Sequence, residues 1–500
     1  LGRKRRINQS ACNYDYSCAE GFCPSFVAVD GARLAKPDQD VLARLGIDLD
    51  ALPEAPLPAT GAPDYNVLVT GIGGSGVVTI GALISMAAHL EGRYATVLDQ
   101  TGLAQKNGAV VSHVRVTGLD APPSTPRIPE RHADLLLACD QLVAAADGYL
   151  PTYDPERTFV LLNTETAPTS DWVHDPDTVF PVETVRRRLR ACVDPERILE
   201  LPATAWASAL LGDAIGTNLF LVGVAVQRGL LPVSLGALER ALELNGVAVA
   251  SNRRALALGR VAAIDPEGFA QRVAAVLPVH EGVPEALDAL IADRRARLVD
   301  YAGPALAERY AARIEATRTL ERRVAPHQDR LTRSVAEQYF RLLAVKDEYE
   351  VARLYASPAF RERLGREFSD WKRLRVQLAP PLLSRPDPVT GEPRKRAFGP
   401  WIFGAFRLLA RLRGLRGTAF DPFGHTEERR TERRLAAQYE AWLDALQDTL
   451  TPSLHEPACA LAALPAKVRG FGPVKLRNVR AYEQERARLQ EHYDHMARHG

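Results

Sequence analysis

The sequence predicts an α/β chain, an open parallel-rich sheet followed by a mainly helical C-terminal region. Three observations predict it. Short apolar, β-branched runs such as Tyr65–Thr70 alternate with helical or loop stretches as far as Leu162. A glycine-rich turn, Gly71-Ile72-Gly73-Gly74-Ser75-Gly76, joins the first of those runs to a helix. From about Asp265 onward no strand alternation persists, and Ala, Leu, Arg and Glu recur at helical spacing.

Taken in order, residues 1–62 read as a cysteine-containing segment and a linker punctuated by Pro53, Pro56 and Pro58, with Pro63 next. Residues 63–262 read as one domain. Its expected strands are Tyr65–Thr70, Tyr94–Asp99, Val110–Val116, Asp134–Ala138 and Thr158–Leu162. A helix is expected from Val77 to His89. Further helices are expected over 203–211, 216–228, 235–244 and 252–262, with Gly229 and Pro232 stopping the second of these. Residues 263–500 read as a helical C-terminal domain. There Ser334-Val335-Ala336-Glu337 fits a capping box that starts a helix, Pro358 ends that stretch, and a proline-rich loop precedes a helical block at 401–416.

The 500 residues are 46% apolar and 25% charged, ordinary for a globular protein of two or three domains. A formal charge of +2 gives the whole molecule no strong electrostatic preference, so no nucleic-acid partner is expected. No run of eighteen apolar residues predicts a membrane span. Arg3-Lys4-Arg5-Arg6 is basic, but no apolar stretch follows to make a signal peptide. Three of the six cysteines are scattered, at Cys139, Cys192 and Cys459, which is no disulfide framework. A reducing cytoplasm is expected. The sequence opens on Leu1 in mid-pattern and reads as the C-terminal part of a longer polypeptide.

Cys12, Cys18 and Cys23 fall within a dozen positions, spaced C-x5-C-x4-C. Clustered thiolates suit an iron–sulfur cluster with one more distant ligand, namely Cys139, Cys192, Cys459 or a residue outside this sequence. Zinc, or three reduced buried cysteines, are the competing readings. Gly71, Gly73 and Gly76 match G-x-G-x-x-G between a strand and a helix, the Rossmann-like context in which the helix N-terminus faces a phosphate. Asp99 then ends the next strand, where a nicotinamide-binding fold keeps its ribose carboxylate, so NAD is one reading and a purely packing turn another. The loop from Gln100 through Thr101, Gly102, Lys106 and Asn107 to Gly108 leaves the C-terminal end of a strand, where ligands of open sheets bind; a plain connection is the alternative. Residues 351–416 carry fifteen Lys or Arg against five Asp or Glu, with Trp401, Phe403 and Phe406 among them. That block suits an acidic docking partner such as ferredoxin, a membrane surface, or most simply a packed helix with a solvated arginine face.

Residues 71–81 and 98–115, with Gly71–Gly76, Thr101-Gly102 and Asn107-Gly108 inside them, resemble the gamma domain of 2-oxoacid:ferredoxin oxidoreductases, above all the long fused indolepyruvate ferredoxin oxidoreductases of bacteria. The cysteine segment, Gly216-Thr217-Asn218, residues 252–255, residues 346–353 and residues 469–472 resemble further parts of that family. Ser75 and Asn107 stand where threonine and glycine are expected. The resemblance implies oxidative decarboxylation of an aryl pyruvate with coenzyme A to an aryl-acetyl-CoA, carbon dioxide and reduced ferredoxin. It implies a 4Fe–4S cluster on Cys12, Cys18 and Cys23, thiamine diphosphate with magnesium in an upstream region, and a homodimer. It also turns the glycine turn, Gly71, Gly73, Gly74, Ser75 and Gly76, toward coenzyme A phosphates or a subunit interface rather than NAD, with Thr101, Gly102 and Asn107 as further cofactor-binding candidates. An NAD-dependent dehydrogenase and a non-catalytic interaction module are the rival classes.

Overall fold

The structure is a computed structural model that describes residues 7, 9, 12, 14–16, 18, 26–35, 40–49, 51–58, 64–102, 108–118, 122–167, 169, 178–277, 286–380, 394–470 and 472–499. The chain divides into two compact units. One holds Lys36–Val279 with Ile7–Cys12; the other holds His280–Gly500 with Leu1–Arg6 and Asn13–Ala35. Strands β1 (Val27–Asp30) and β2 (Arg33–Leu34) belong to the latter unit.

The first unit is built on a six-stranded sheet. Strand β3 (Asp64–Ile72) leads through helix α1 (Val77–Leu90) to the antiparallel pair β4 (Tyr94–Thr101) and β5 (Ala109–Thr117). Then come β6 (Leu135–Ala138), the one-turn α2 (Gln141–Ala144), β7 (Phe159–Asn163), α3 (Val182–Arg190) and β8 (Ile198–Leu201). The spatial order is β4-β5-β3-β6-β7-β8. Strands β3, β6, β7 and β8 run parallel, and β5 runs against both its neighbours. The apolar runs of β3 and β6 are buried on both faces, as a sheet covered on two sides requires. On one face Ile80, Leu83 and Ile84 of α1 pack over Val67, Val69 and Val114. On the other, Leu68, Leu136 and Val160 meet Ile128 and Leu189.

Five strands were expected and all five are present; β8 is the addition. Its four residues include Glu200, which accepts from Arg186 on α3, so a half-polar edge strand gives no continuous apolar signal. Helices α4 (Ala203–Leu211), α5 (Thr217–Gln227), α6 (Leu235–Asn245), α7 (Val249–Ile264) and α8 (Pro266–Ala274) complete the unit. Helices α5 and α7 touch backbone to backbone. A Cβ on Gly223 would run into the Leu256 carbonyl, and one on Gly259 into that of Phe220.

The second unit is mainly helical: α9 (Leu287–Ala302), α10 (Pro304–Val324), α11 (Arg330–Leu343), α12 (Glu348–Ala356), α13 (Pro358–Glu367), and later α14 (Ile402–Arg411), α15 (Glu427–Thr449), α16 (His455–Ala463) and α17 (Gly472–His499). The rings of Tyr310, Tyr339 and Tyr439 stack through its core. Three expectations are corrected here. Strands do occur past Asp265: β9 (Phe368–Ser369) pairs with β2, and β10 (Arg373–Leu378) lies between β1 and β11 (Arg396–Phe398). The alternation Arg-Leu-Arg-Val-Gln-Leu of β10 was readable, but its strand partner stands some 350 positions earlier in β1 (Val27↔Val376). The Ser334–Glu337 box lies inside α11 rather than at its start, because the Glu321 carboxylate of α10 accepts from the Leu331 and Thr332 N–H groups and caps the helix from outside. Pro358 does not merely end a helix; with Ser357 as cap it begins α13.

Candidate functional site

The glycine turn stands at the C-terminal edge of the sheet, beside the β3/β6 boundary where connections leave in opposite directions. That boundary is the crevice in which open α/β sheets bind ligands. Gly71 is required by close approach: a Cβ there would lie 2.5 Å from Val77 Cγ2 and 3.4 Å from Cys139 Cβ. Gly74 and Gly76 are required by conformation, with φ of +82° and +94°. Ser75 Oγ donates to the Ile72 carbonyl at 2.7 Å and closes the turn on itself. No side chain caps α1, so the N–H groups of its first turn point out of the fold with the positive end of the helix dipole.

Gly73 plays a part the sequence did not suggest. Its N–H donates to the Gly108 carbonyl at 2.7 Å, so it is committed to the β4–β5 connection rather than open to a phosphate. This bond brings the second candidate motif to the first. Thr101 and Gly102 are exposed at the start of that connection, and Asn107 lies outside the described residues.

A polar chain links the turn to two more helix starts. Asn218, in the first turn of α5, donates to the Ser75 carbonyl at 2.8 Å. Its neighbour Thr217 donates to the Thr204 hydroxyl at 3.2 Å, at the start of α4. Thr204 in turn receives from Asn163 at the end of β7 (2.9 Å), and Asn163 Nδ2 also reaches the Cys139 carbonyl after β6 (3.0 Å). Asn163 Oδ1 also accepts from the Thr204 N–H in the first turn of α4 (3.2 Å), and α5 continues from a 3-10 turn whose Ile215 N–H donates to Asp213 Oδ1 (3.0 Å). Of the three helix starts that meet at this edge of the sheet, that of α1 is left without a side-chain acceptor, an arrangement that favours an anion there. Asn163, Thr204, Thr217 and Asn218 were not singled out as ligand-facing; only the Gly-Thr-Asn triplet carried a signal, and its contact with the turn is tertiary.

Asp99 does not occupy the position an NAD site needs. Strand β5 is inserted between β4 and β3, with Asp99 paired to Ser112 and Ser112 to Val69. The carboxylate is thus two strand spacings, about 10 Å, from the strand that feeds the turn instead of one.

The cysteines divide. Contacts group Cys12 with the sheet unit and Cys18 with the helical unit, and Cys23 lies outside the described residues. Cys139 packs under the glycine turn, where burial first and Asp140 second push its thiol up to about 12. Cys459 is buried beside His455 and Glu321, and burial pushes it up to about 11. These last three are the one Glu/His/Cys grouping among the described residues able to surround an ion. Its carboxylate is already saturated, however. Glu321 accepts from Leu331 N, Thr332 N and Thr332 Oγ1 and lies 2.8 Å from His455 Nε2. With a protonated thiol beside it, the group is a buried capping network.

The family described as "Pyruvate ferredoxin/flavodoxin oxidoreductase" matches residues 66–262, the whole of the sheet and the helices whose N-termini meet at the turn. Helices α9–α17 correspond to a different match, a family of unknown function (DUF6537) over residues 287–488. Among curated proteins, the indolepyruvate oxidoreductase subunit IorB of Archaeoglobus fulgidus is 28% identical over 203 residues, 39% of this chain and 92% of that subunit. The subunit of the same name from Pyrococcus horikoshii is 28% identical over 205 residues, 40% of this chain and 96% of its own. Among solved structures, a 2-oxoglutarate:ferredoxin oxidoreductase from Magnetococcus marinus is 16% identical with a TM-score of 0.31; the match covers 41% of this chain and 31% of that one. Over these residues the chain is similar to the IorB subunits, and residues 66–262 carry the likeness. No described helix is long and apolar enough to cross a membrane.

Proposed function

We propose that this chain works within a cytoplasmic, homodimeric enzyme that decarboxylates an aryl pyruvate in the presence of coenzyme A, giving an aryl-acetyl-CoA, carbon dioxide and two electrons for ferredoxin. The three-domain division at 62/63 and 262/263 is part of this reading. The observation that carries it is the open, uncapped glycine turn, joined to two other helix N-termini at the crevice of the domain that this family matches. A CoA diphosphate is the polyanion that edge fits, held by the α1 N–H groups behind Gly71, Gly74, Ser75 and Gly76, with Thr101, Gly102 and Asn107 on the adjoining loop.

The thiolates of Cys12, Cys18 and Cys23 are a donor set of the right chemistry for a 4Fe–4S cluster, which carries electrons outward singly. Thiamine diphosphate with magnesium, held in protein outside these 500 residues, supplies the carbanion chemistry when bound. The side chain of the oxoacid is an inference from the relatives' names; indolepyruvate and phenylpyruvate suit these residues equally.

Calorimetric titration of the anaerobically purified enzyme with CoA and, separately, NADH tests the turn. Saturable CoA binding without NADH binding supports the assignment; NADH binding alone refutes it. Iron and acid-labile sulfide in the same preparation test the cluster.

A further inference from the structure

The fold brings the basic block to the cysteine segment. Strand β1 begins four residues after Cys23 and pairs antiparallel with β10, which pairs in turn with β11. Asp30 of β1 receives a bidentate bond from Arg375 of β10 at 2.7 and 2.8 Å. The Arg375 guanidinium is held above its ordinary value by Asp30 and, more weakly, by Tyr16, two residues before Cys18. Lys395, which precedes β11, places its ammonium 5.2 Å from the ring of Phe26, three residues after Cys23. The stretch that follows Cys23 therefore touches basic residues that stand some 350 positions later in sequence.

The surface continuing from β11 onto α14 has the composition of a docking face. Helix α14 buries Ile402, Phe403 and Phe406, yet apolar residues on it and at its two ends stay in water: Trp401 is 66% exposed, Leu408 61% and Leu412 42%. Trp401 precedes the first residue of α14, Leu408 lies in its last turn and Leu412 opens the 3-10 turn that follows it. Arg396, Arg407 and Arg411 are exposed, and among the described residues none of them forms a salt bridge. A solvated arginine face alone would not leave an indole and two leucines in water beside it. Apolar anchors ringed by unpaired guanidinium groups match a partner that is acidic around an apolar contact.

We infer that the β1–β10–β11 sheet and the outer face of α14 dock an acidic one-electron carrier protein of the ferredoxin type, against the cluster held by the cysteine segment. This rests on the proposed cluster function and adds where the electrons leave. An anionic membrane is the other occupant such a face can suit, and it is one outcome of the test.

The test uses the full-length holoenzyme with its oxoacid and CoA, an acidic ferredoxin as acceptor, and a small viologen dye as control acceptor. Arg396→Glu combined with Arg407→Glu should raise KM for ferredoxin about tenfold or more, while viologen reduction stays within twofold. Leu408→Ser should weaken ferredoxin in the same selective way. Wild-type KM for ferredoxin should rise steeply with added salt. An unchanged ferredoxin KM in the charge variant, with viologen activity intact, overturns the docking face and leaves the proposed enzyme standing. A salt-independent wild-type KM overturns it even if the variants fail to fold. Loss of binding to phosphatidylserine vesicles with ferredoxin KM unchanged assigns the face to a membrane and overturns it too. Wild-type enzyme with neither iron nor viologen reduction fails the function itself.

Discussion

Gly71→Ala and Gly76→Ala separate the two reasons for glycine in the turn. At residue 71 the new methyl would stand 2.5 Å from Val77 Cγ2. Val77 is buried and β-branched in the first turn of α1, so its side chain has one good rotamer and nowhere to swing. Overpacking of this kind costs roughly 1–3 kcal/mol, less about 0.5 kcal/mol for the stiffer unfolded chain. Relief requires α1 to back away from β3 by about 1 Å, since an ordinary contact needs about 3.5–4 Å. That displacement moves the N–H groups proposed to hold the phosphates. At residue 76 the nearest atom to a new Cβ is Asn218 Nδ2 at 3.8 Å, so space is ample, and the cost is the left-handed backbone, about 1–2 kcal/mol. The two variants should lose similar stability, a fall of about 2–4 °C in unfolding midpoint per kcal/mol. They should differ in ligand: CoA affinity by calorimetry should drop about tenfold for Gly71→Ala, about 1.4 kcal/mol, and much less for Gly76→Ala. Adding Val77→Ala to Gly71→Ala removes the collision and should recover most of the loss. If Gly71→Ala binds CoA like wild type, or Gly76→Ala is the weaker binder, the close-approach argument is wrong.

Cys18→Ser should lower iron and sulfide in purified enzyme, and full iron content in that variant would remove Cys18 from the ligand set. Asn218→Ala breaks the 2.8 Å bond to the Ser75 carbonyl; about 1 kcal/mol of stability and a weaker CoA titration are expected, and unchanged values would show that the turn holds itself. Glu321→Ala leaves two buried backbone N–H groups, a hydroxyl and His455 without their carboxylate, so thermal unfolding should register a loss of about 3–5 kcal/mol; less than 1 kcal/mol would mean water replaces it. His113 is buried, and desolvation, then Arg127, depress it to about 4. The unfolded chain takes up that proton near pH 6.5. Stability should therefore be complete above about pH 6.5 and fall progressively toward pH 4, with a shallower fall in His113→Gln; an identical acid limb in the two proteins refutes the assignment.

Much of this protein was decided locally and could be read along the chain. Strands β3 to β7 and helices α1 and α4–α7 follow from apolar periodicity and from punctuation by glycine and proline, properties of neighbouring residues. The glycine turn was legible for the same reason: strand, tight turn and helix are contiguous. Tertiary structure decided what depends on distant segments. Insertion of β5 between β4 and β3 moved Asp99 away from the turn, because antiparallel pairing of β4 with β5 fills the place a parallel neighbour would take. The carbonyl of Gly108 claimed the N–H of Gly73, and Asn218 came to brace Ser75 across 143 positions. The same holds for the cap that Glu321 supplies to α11 and for the strand that residues 27–30 lend to β10. Hydrogen-bond donors and strand edges must be satisfied by whatever the fold brings near, and no local pattern records which partner that is.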